Sequence, residues 1–259
     1  MKLNIDNCHA AFVNLAHRTD RLLHMKKELA RVWLIAERFE ALRTKDYHWD
    51  EKKYGVMLKR TPGAVGCHVS QCGVMEDALA KGKHAFVMED DLVFCSDFMK
   101  RFDIISQFCD SHEWDVIWLG GTFHINPAWW YNGKNKDLPG AKKLGRDAET
   151  TDHPNMMRTY GCFSTHAYIV NYNSIERILK LLDENVHLSM GIDWLFIKLQ
   201  PELYTYSFVP GCVKQYDNQS DIGTGITKYS GFAKLGPYWW QDRMEFFKPE
   251  KMDWKECKR

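Results

Sequence analysis

The chain has no C-x-x-C pair, no basic run, no internal repeat, and no apolar run near the roughly 18 residues that a membrane-spanning helix requires. Each absence removes a class of protein. The eight cysteines (Cys8, Cys67, Cys72, Cys95, Cys109, Cys162, Cys212, Cys257) sit mostly in apolar segments, which reads as reduced, buried thiols rather than a disulfide framework. Cys67, His68 and Cys72 match no familiar zinc spacing. With 35 Lys plus Arg against 34 Asp plus Glu the formal net charge is +1, so nucleic acid is not an expected partner. At the N-terminus, Asp6 and His9 interrupt the apolar stretch that a signal peptide needs. These features lead to the expectation of a soluble, cytoplasmic protein.

What is present is a chain of 259 residues, 45% hydrophobic and 14% aromatic, enough for a large core. "AAFVNL" reads as a strand, and Leu22, Leu23, Met25 and Leu29 continue at helical spacing. "RFEAL" is a second strand, followed by a polar segment to Arg60. "TPGAVGCHVSQCGVMEDALAKGK" leads through Pro62, Gly63 and Gly66 into a helix ending near Gly82. "HAFVMEDDLVF", "DVIWLGG", "HAYIV" and "LYTYSFVPG" are further strands, with "SIERILKLLDEN" and "GIDWLFIKLQ" as helices. The alternation predicts an α/β class with a mostly parallel sheet between helices. No second boundary is visible, so one domain is expected over 1–259. It carries a Trp-rich loop at 122–158 and an aromatic, Lys-rich tail at 229–259.

In "HAFVMEDDLVF" three acids, Glu89, Asp90 and Asp91, interrupt a segment that otherwise reads as buried. Adjacent carboxylates repel, and an unpaired buried charge is costly, so a cation or water has to sit there. Three readings compete. One is a solvated strand end that caps the next turn. Another is a divalent metal site, since Glu89 and Asp91 point to one side of an extended segment and hard carboxylate oxygens suit Mg²⁺ or Mn²⁺. The third is an acid/base pair, for which no neighbouring partner is visible.

Seven motifs fall in one order: "VNLAHRTDRLLHM", "ERFEAL", "GAVGCHVSQCGVMEDAL", "AFVMEDDLVF", "THAYIVN", "GIDWLF" and "VPGCVKQYDNQSDI". Together they resemble glycosyltransferase family 25, the family of lipooligosaccharide and collagen galactosyltransferases. The likeness covers about residues 11–105 and 158–223, and Gln71 stands where the family has His after the Ser. The resemblance implies a GT-A type nucleotide-sugar-binding domain with a mostly parallel central sheet flanked by helices. It implies a UDP-sugar donor, Mn²⁺ (or Mg²⁺) against the donor diphosphate, and inversion at the anomeric carbon.

Under that resemblance Asp91 is the direct metal ligand. Glu89 joins it at the metal or, with Asp90, binds the donor, and Asp221 is a further metal candidate. Asn14, Leu15, Arg18 and Arg21 follow the first strand, where the nucleotide is placed; an arginine fork suits phosphate. Without the resemblance, Arg18 and Arg21 are a salt-bridged helix start. Gly63 and Gly66 allow the backbone to approach the donor at a helix start, with Ser70 further along the same helix. Asp193 is the expected base that takes the acceptor hydroxyl's proton, against the plainer reading of a helix N-terminal acid. His166 and Tyr168 fall on the acceptor side, and Trp129, Trp130 and Tyr131 offer flat faces to a sugar. The expected function is transfer of galactose or glucose from a UDP-sugar to a hydroxyl of a glycan or a hydroxylated protein side chain. The alternatives are a metal-dependent phosphoester hydrolase and a catalytically inactive nucleotide-sugar-binding protein.

Overall fold

The computed structural model of the chain describes residues 1–121, 148–189, 191–209, 211–216, 218–222 and 226–227. Strand β1 (Cys8–Asn14) leads into helix α1 (Thr19–Arg31) and strand β2 (Glu37–Glu40). Helices α2 (Glu51–Arg60) and α3 (Gly63–Ala80) come next, then β3 (His84–Glu89), β4 (Leu92–Phe94) and α4 (Phe98–Ser111). The chain continues through β5 (Val116–Trp118), β6 (Ala148–Thr150), β7 (Met156–Thr159), β8 (Ala167–Val170) and α5 (Tyr172–Asn185). Last come α6 (Ile192–Leu199), β9 (Thr205–Phe208), β10 (Val213–Gln215) and a small ribbon of β11 (Asn218–Gln219) and β12 (Ile226–Thr227).

Eight strands form one sheet in the order β2-β1-β3-β8-β5-β9-β7-β6. β1 pairs in parallel with β2 and β3, and β5 with β9, while β8 and β7 run against their neighbours. The strands other than β8 and β7 therefore share one direction, as expected of a GT-A type domain. Central strands are apolar on both faces because both are covered. Phe86, Met88 and Ile169 meet Met25, Leu29, Phe98 and Phe102 from α1 and α4 on one face. Val87, Trp118 and Tyr168 meet Val65, Val74, Ile175 and Phe196 from α3, α5 and α6 on the other.

Helix α2 and strands β6 and β7 are among the elements not visible in the sequence. Within the segment read as polar up to Arg60 lies α2, started by the Asp50 side chain accepting from the Lys52 N–H at 2.8 Å and anchored by the fully buried Met57. Its exposed lysines hide the apolar stripe. β6 falls inside the segment read as a structureless loop over 122–158 and β7 runs across its end; at three and four residues they are too short to show alternation. Trp129, Trp130, Tyr131 and the tail from 229 lie outside the described residues. Among the described residues no helix is long and apolar enough to cross a membrane.

Candidate functional site

Beyond the carboxyl ends of β1 and β3, where open α/β sheets bind ligands, lies a cleft of about 680 Å³. Its walls come from the turn after β1 (Leu15, His17, Arg21), the segment after β2 (Leu42 to Trp49), the start of α3 (Gly63, Cys67) and the acids Glu89, Asp90 and Asp91. Gln215 and the Ser220–Ile222 segment close it from the C-terminal side. The acids stand where β3 stops and the chain turns into β4, which leaves the sheet and pairs with β10.

The three acids have separate surroundings. Asp90 is 5% exposed, receives the Arg21 guanidinium at 2.6 Å and the Asn14 amide at 2.7 Å, and still has its pKa raised by burial. Asp91 lies 3.4 Å from Arg21. Glu89 accepts from the amide nitrogens of Gln71 at 3.1 Å and Gln215 at 2.9 Å, and Gln215 also donates to Asp91 at 3.0 Å. One amide nitrogen thus joins the two acids expected to share a side of the strand. Burial, with Asp91, Asp90 and Asp193 as like-charged neighbours, pushes the Glu89 carboxyl up to about 8.

Several expected donor residues stand behind the cleft rather than in it. Asn14 is 1% exposed and holds Asp90, with Arg38 Nε donating to its side-chain Oδ1 at 2.9 Å. Ser70 is fully buried; its hydroxyl donates to the Gly66 carbonyl at 2.6 Å and accepts from the Leu42 N–H at 2.9 Å. It ties α3 to the cleft wall and does not itself line the cleft. Gly66 is needed for a close approach to the chain itself: a Cβ there would fall 2.1 Å from the Leu42 carbonyl oxygen. Gly63 does line the cleft, with the Ile222 backbone against it. Arg18 pairs with Asp20 and Asp221 and donates to the Gln219 carbonyl at 3.1 Å.

Asp221 does not join the other acids. Arg18 and His17 hold it at the cleft's edge. Among the described residues no three His, Cys, Asp or Glu side chains converge on one point, which also removes the Cys67–His68–Cys72 zinc arrangement. The donor set at the cleft floor is therefore two hard carboxylates, Glu89 and Asp91, around one shared amide. This fits Mg²⁺ or Mn²⁺, which take few protein oxygens and complete their shell with phosphate and water.

On the acceptor side the expectations divide. Asp193 lies in the first turn of α6, its Oδ1 accepting from the Trp194 N–H at 2.9 Å, and burial raises its pKa. Its charge is felt at Glu89 and Cys67, but it is not among the residues that line the cleft. Tyr168 cannot touch an acceptor from its place in the core. It is 0% exposed, packs on Trp118 and Phe196 with centroids 5.3 and 5.2 Å away, and donates its hydroxyl to Gln71 Oε1 at 3.0 Å. His166 precedes β8 and is 6% exposed, wedged against Gly120; burial drops its pKa to about 4, so the ring is neutral. Sequence reasoning missed Gln71 and Gln215 as the side chains that hold Glu89. In the sequence Gln71 stands out only as a departure from the family pattern, and Gln215 lies within "VPGCVKQYDNQSDI" with no signal of its own.

The fold is thus an α/β sheet with a cleft at its strand ends, lined by an acidic turn and by an arginine paired with it. The chain belongs to glycosyltransferase family 25 (LPS biosynthesis protein), whose sequence profile matches residues 9–195. It is also 30% identical to a protein of Rattus norvegicus described as probable inactive glycosyltransferase 25 family member 3. That match covers 32% of this chain and 18% of the rat protein.

Proposed function

We propose that this chain is a metal-dependent glycosyltransferase that moves a hexose from a UDP-sugar to the hydroxyl of a glycan or a hydroxylated protein side chain. The observation that carries the reading is the meeting of Glu89 and Asp91 at the floor of the cleft, in a family-25 chain. Mn²⁺ or Mg²⁺ held by Glu89 and Asp91 would neutralise charge on the departing diphosphate. Arg21, fixed by Asp90, Asp91 and the Gln219 carbonyl, adds a cation at the same place. Tyr47 and Trp49 on the cleft wall offer aromatic faces to a base. Asp193 takes the proton of the attacking hydroxyl; its raised pKa brings the carboxylate towards the range where a base works at neutral pH. Galactose and glucose are the sugars to test first.

The second reading, a nucleotide-sugar binder without turnover, draws on the description of the rat protein. A carboxyl at Asp193, whose charge reaches Glu89, favours the transferase because it supplies a candidate base. Calorimetry with UDP, with and without Mn²⁺, and product analysis over a panel of nucleotide sugars separate the two. Asp91→Asn should lose metal-dependent UDP binding and turnover while keeping its fold, since an amide cannot supply the charge. Near wild-type turnover of that variant with Mn²⁺ would end the metal assignment.

A further inference from the structure

Gln215 is the last residue of β10 and lies opposite Leu92 in an antiparallel pair, so that strand brings its side chain to the acids at the end of β3. Its amide nitrogen is 2.9 Å from Glu89 Oε2 and 3.0 Å from Asp91 Oδ1. A side-chain amide carries a donor and an acceptor of nearly equal size on one carbon, and rotation about its last bond exchanges them without moving the backbone. Without metal the nitrogen end faces the two acids, where Glu89 Oε2 and Asp91 Oδ1 both accept from it. A divalent cation between the same carboxylates reverses that choice, because it repels N–H and attracts a carbonyl oxygen.

The other groups nearby are engaged or unsuited. Asp90 is held by Arg21 and Asn14, and Asp221 by Arg18 and His17. Burial keeps the Cys67 thiol well above its ordinary value, hence protonated. His166 is wedged against Gly120. A neutral third oxygen also suits the charges. Glu89 and Asp91 already balance a dication, and a further carboxylate would weaken its pull on an anionic diphosphate.

We propose that Gln215 is a protein ligand of the divalent cation at Glu89 and Asp91, presenting its amide oxygen when metal is bound and its amide nitrogen when it is not. The assignment rests on the metal-dependent reading above and adds the residue that completes the protein's share of the coordination shell. It also gives β10 a task that follows from topology: the β4–β10 pair, separate from the main sheet, holds a ligand against the end of β3.

The test measures metal binding directly. Mn²⁺ titration of the full chain with UDP present, followed by electron paramagnetic resonance, should show Gln215→Leu weakened by about tenfold or more, and Gln215→Glu binding at least as well as wild type. Gln215→Cys should turn the site towards soft metals. Its Cd²⁺ affinity relative to Mn²⁺ should rise by about tenfold or more, with a thiolate–cadmium charge-transfer absorption that wild type lacks. Thermal unfolding of each metal-free variant checks that it is folded, and Gln215→Glu serves where Gln215→Leu is not. Wild-type Mn²⁺ affinity in Gln215→Leu, or Gln215→Cys without the new absorption, would overturn the ligand role and leave the metal-dependent reading standing. Wild-type protein that binds no Mn²⁺ even with UDP would remove that reading, and this proposal with it.

Discussion

Asp193 separates two accounts of the site at the level of one side chain. If it is the base, Asp193→Asn should keep UDP and Mn²⁺ affinity and lower transfer at saturating donor by about 10² to 10⁴-fold. If it only starts α6, Asn would serve nearly as well, since its carbonyl oxygen can still accept from the Trp194 N–H. A rate within about threefold of wild type, well under 1.36 kcal/mol of barrier, would therefore eliminate the base. Glu89 makes a pH prediction for the metal-free protein. Its carboxyl is raised from 4.5 to about 8, so the folded state holds the proton more tightly than the unfolded chain. Stability from this group is then full below pH about 4.5 and is lost as pH rises through about 8. Glu89→Gln should flatten that decline in melting temperature between about pH 5 and 8. Parallel profiles for the two proteins would show that Glu89 is not the group responsible.

At the scale of elements, the contact between α3 and the segment after β2 shapes the cleft. Thr44 accepts from the Gly66 N–H at 3.0 Å, and Ser70 bridges Leu42 and Gly66. A methyl at residue 66 would meet a backbone carbonyl, which cannot swing aside as a side chain can. Gly66→Ala should cost about 1–3 kcal/mol, the usual range for overpacking. Chemical denaturation measures this, and a loss under about 0.5 kcal/mol, the level of an ordinary surface change, would mean that the helix shifts freely. The variant should also weaken UDP binding, because the wall it displaces carries Thr44, Tyr47 and Trp49.

Across the whole molecule, the cleft draws residues far apart in the chain together: Arg18 and Arg21 meet the Gln219 carbonyl, and Glu89 meets Gln215. A ligand that bridges these segments stabilises the folded state by mass action. UDP with Mn²⁺ at about 100 times the dissociation constant should add about 2.7 kcal/mol, or about 5–10 °C in melting temperature for a chain of this size. UDP alone should give a clearly smaller shift. Equal shifts with and without Mn²⁺ would contradict joint binding.

The sequence by itself determined the main sheet's central strands, the helices α1, α3, α5 and α6, and the acidic turn. These are long or apolar enough for periodicity to show, and three adjacent acids after a buried strand demand an explanation on electrostatic grounds alone. Only the tertiary structure decided how the acids divide their partners, because Gln71, Gln215, Arg21 and Asn14 reach them from other elements. It also moved Ser70, Tyr168 and His166 from expected ligand contacts into the protein's own packing. Residue type and position along a strand do not say which end of a side chain is covered from above. That depends on which helix lies over the sheet, and for Tyr168 it is α3 and α6 that close over the ring and leave its hydroxyl to Gln71.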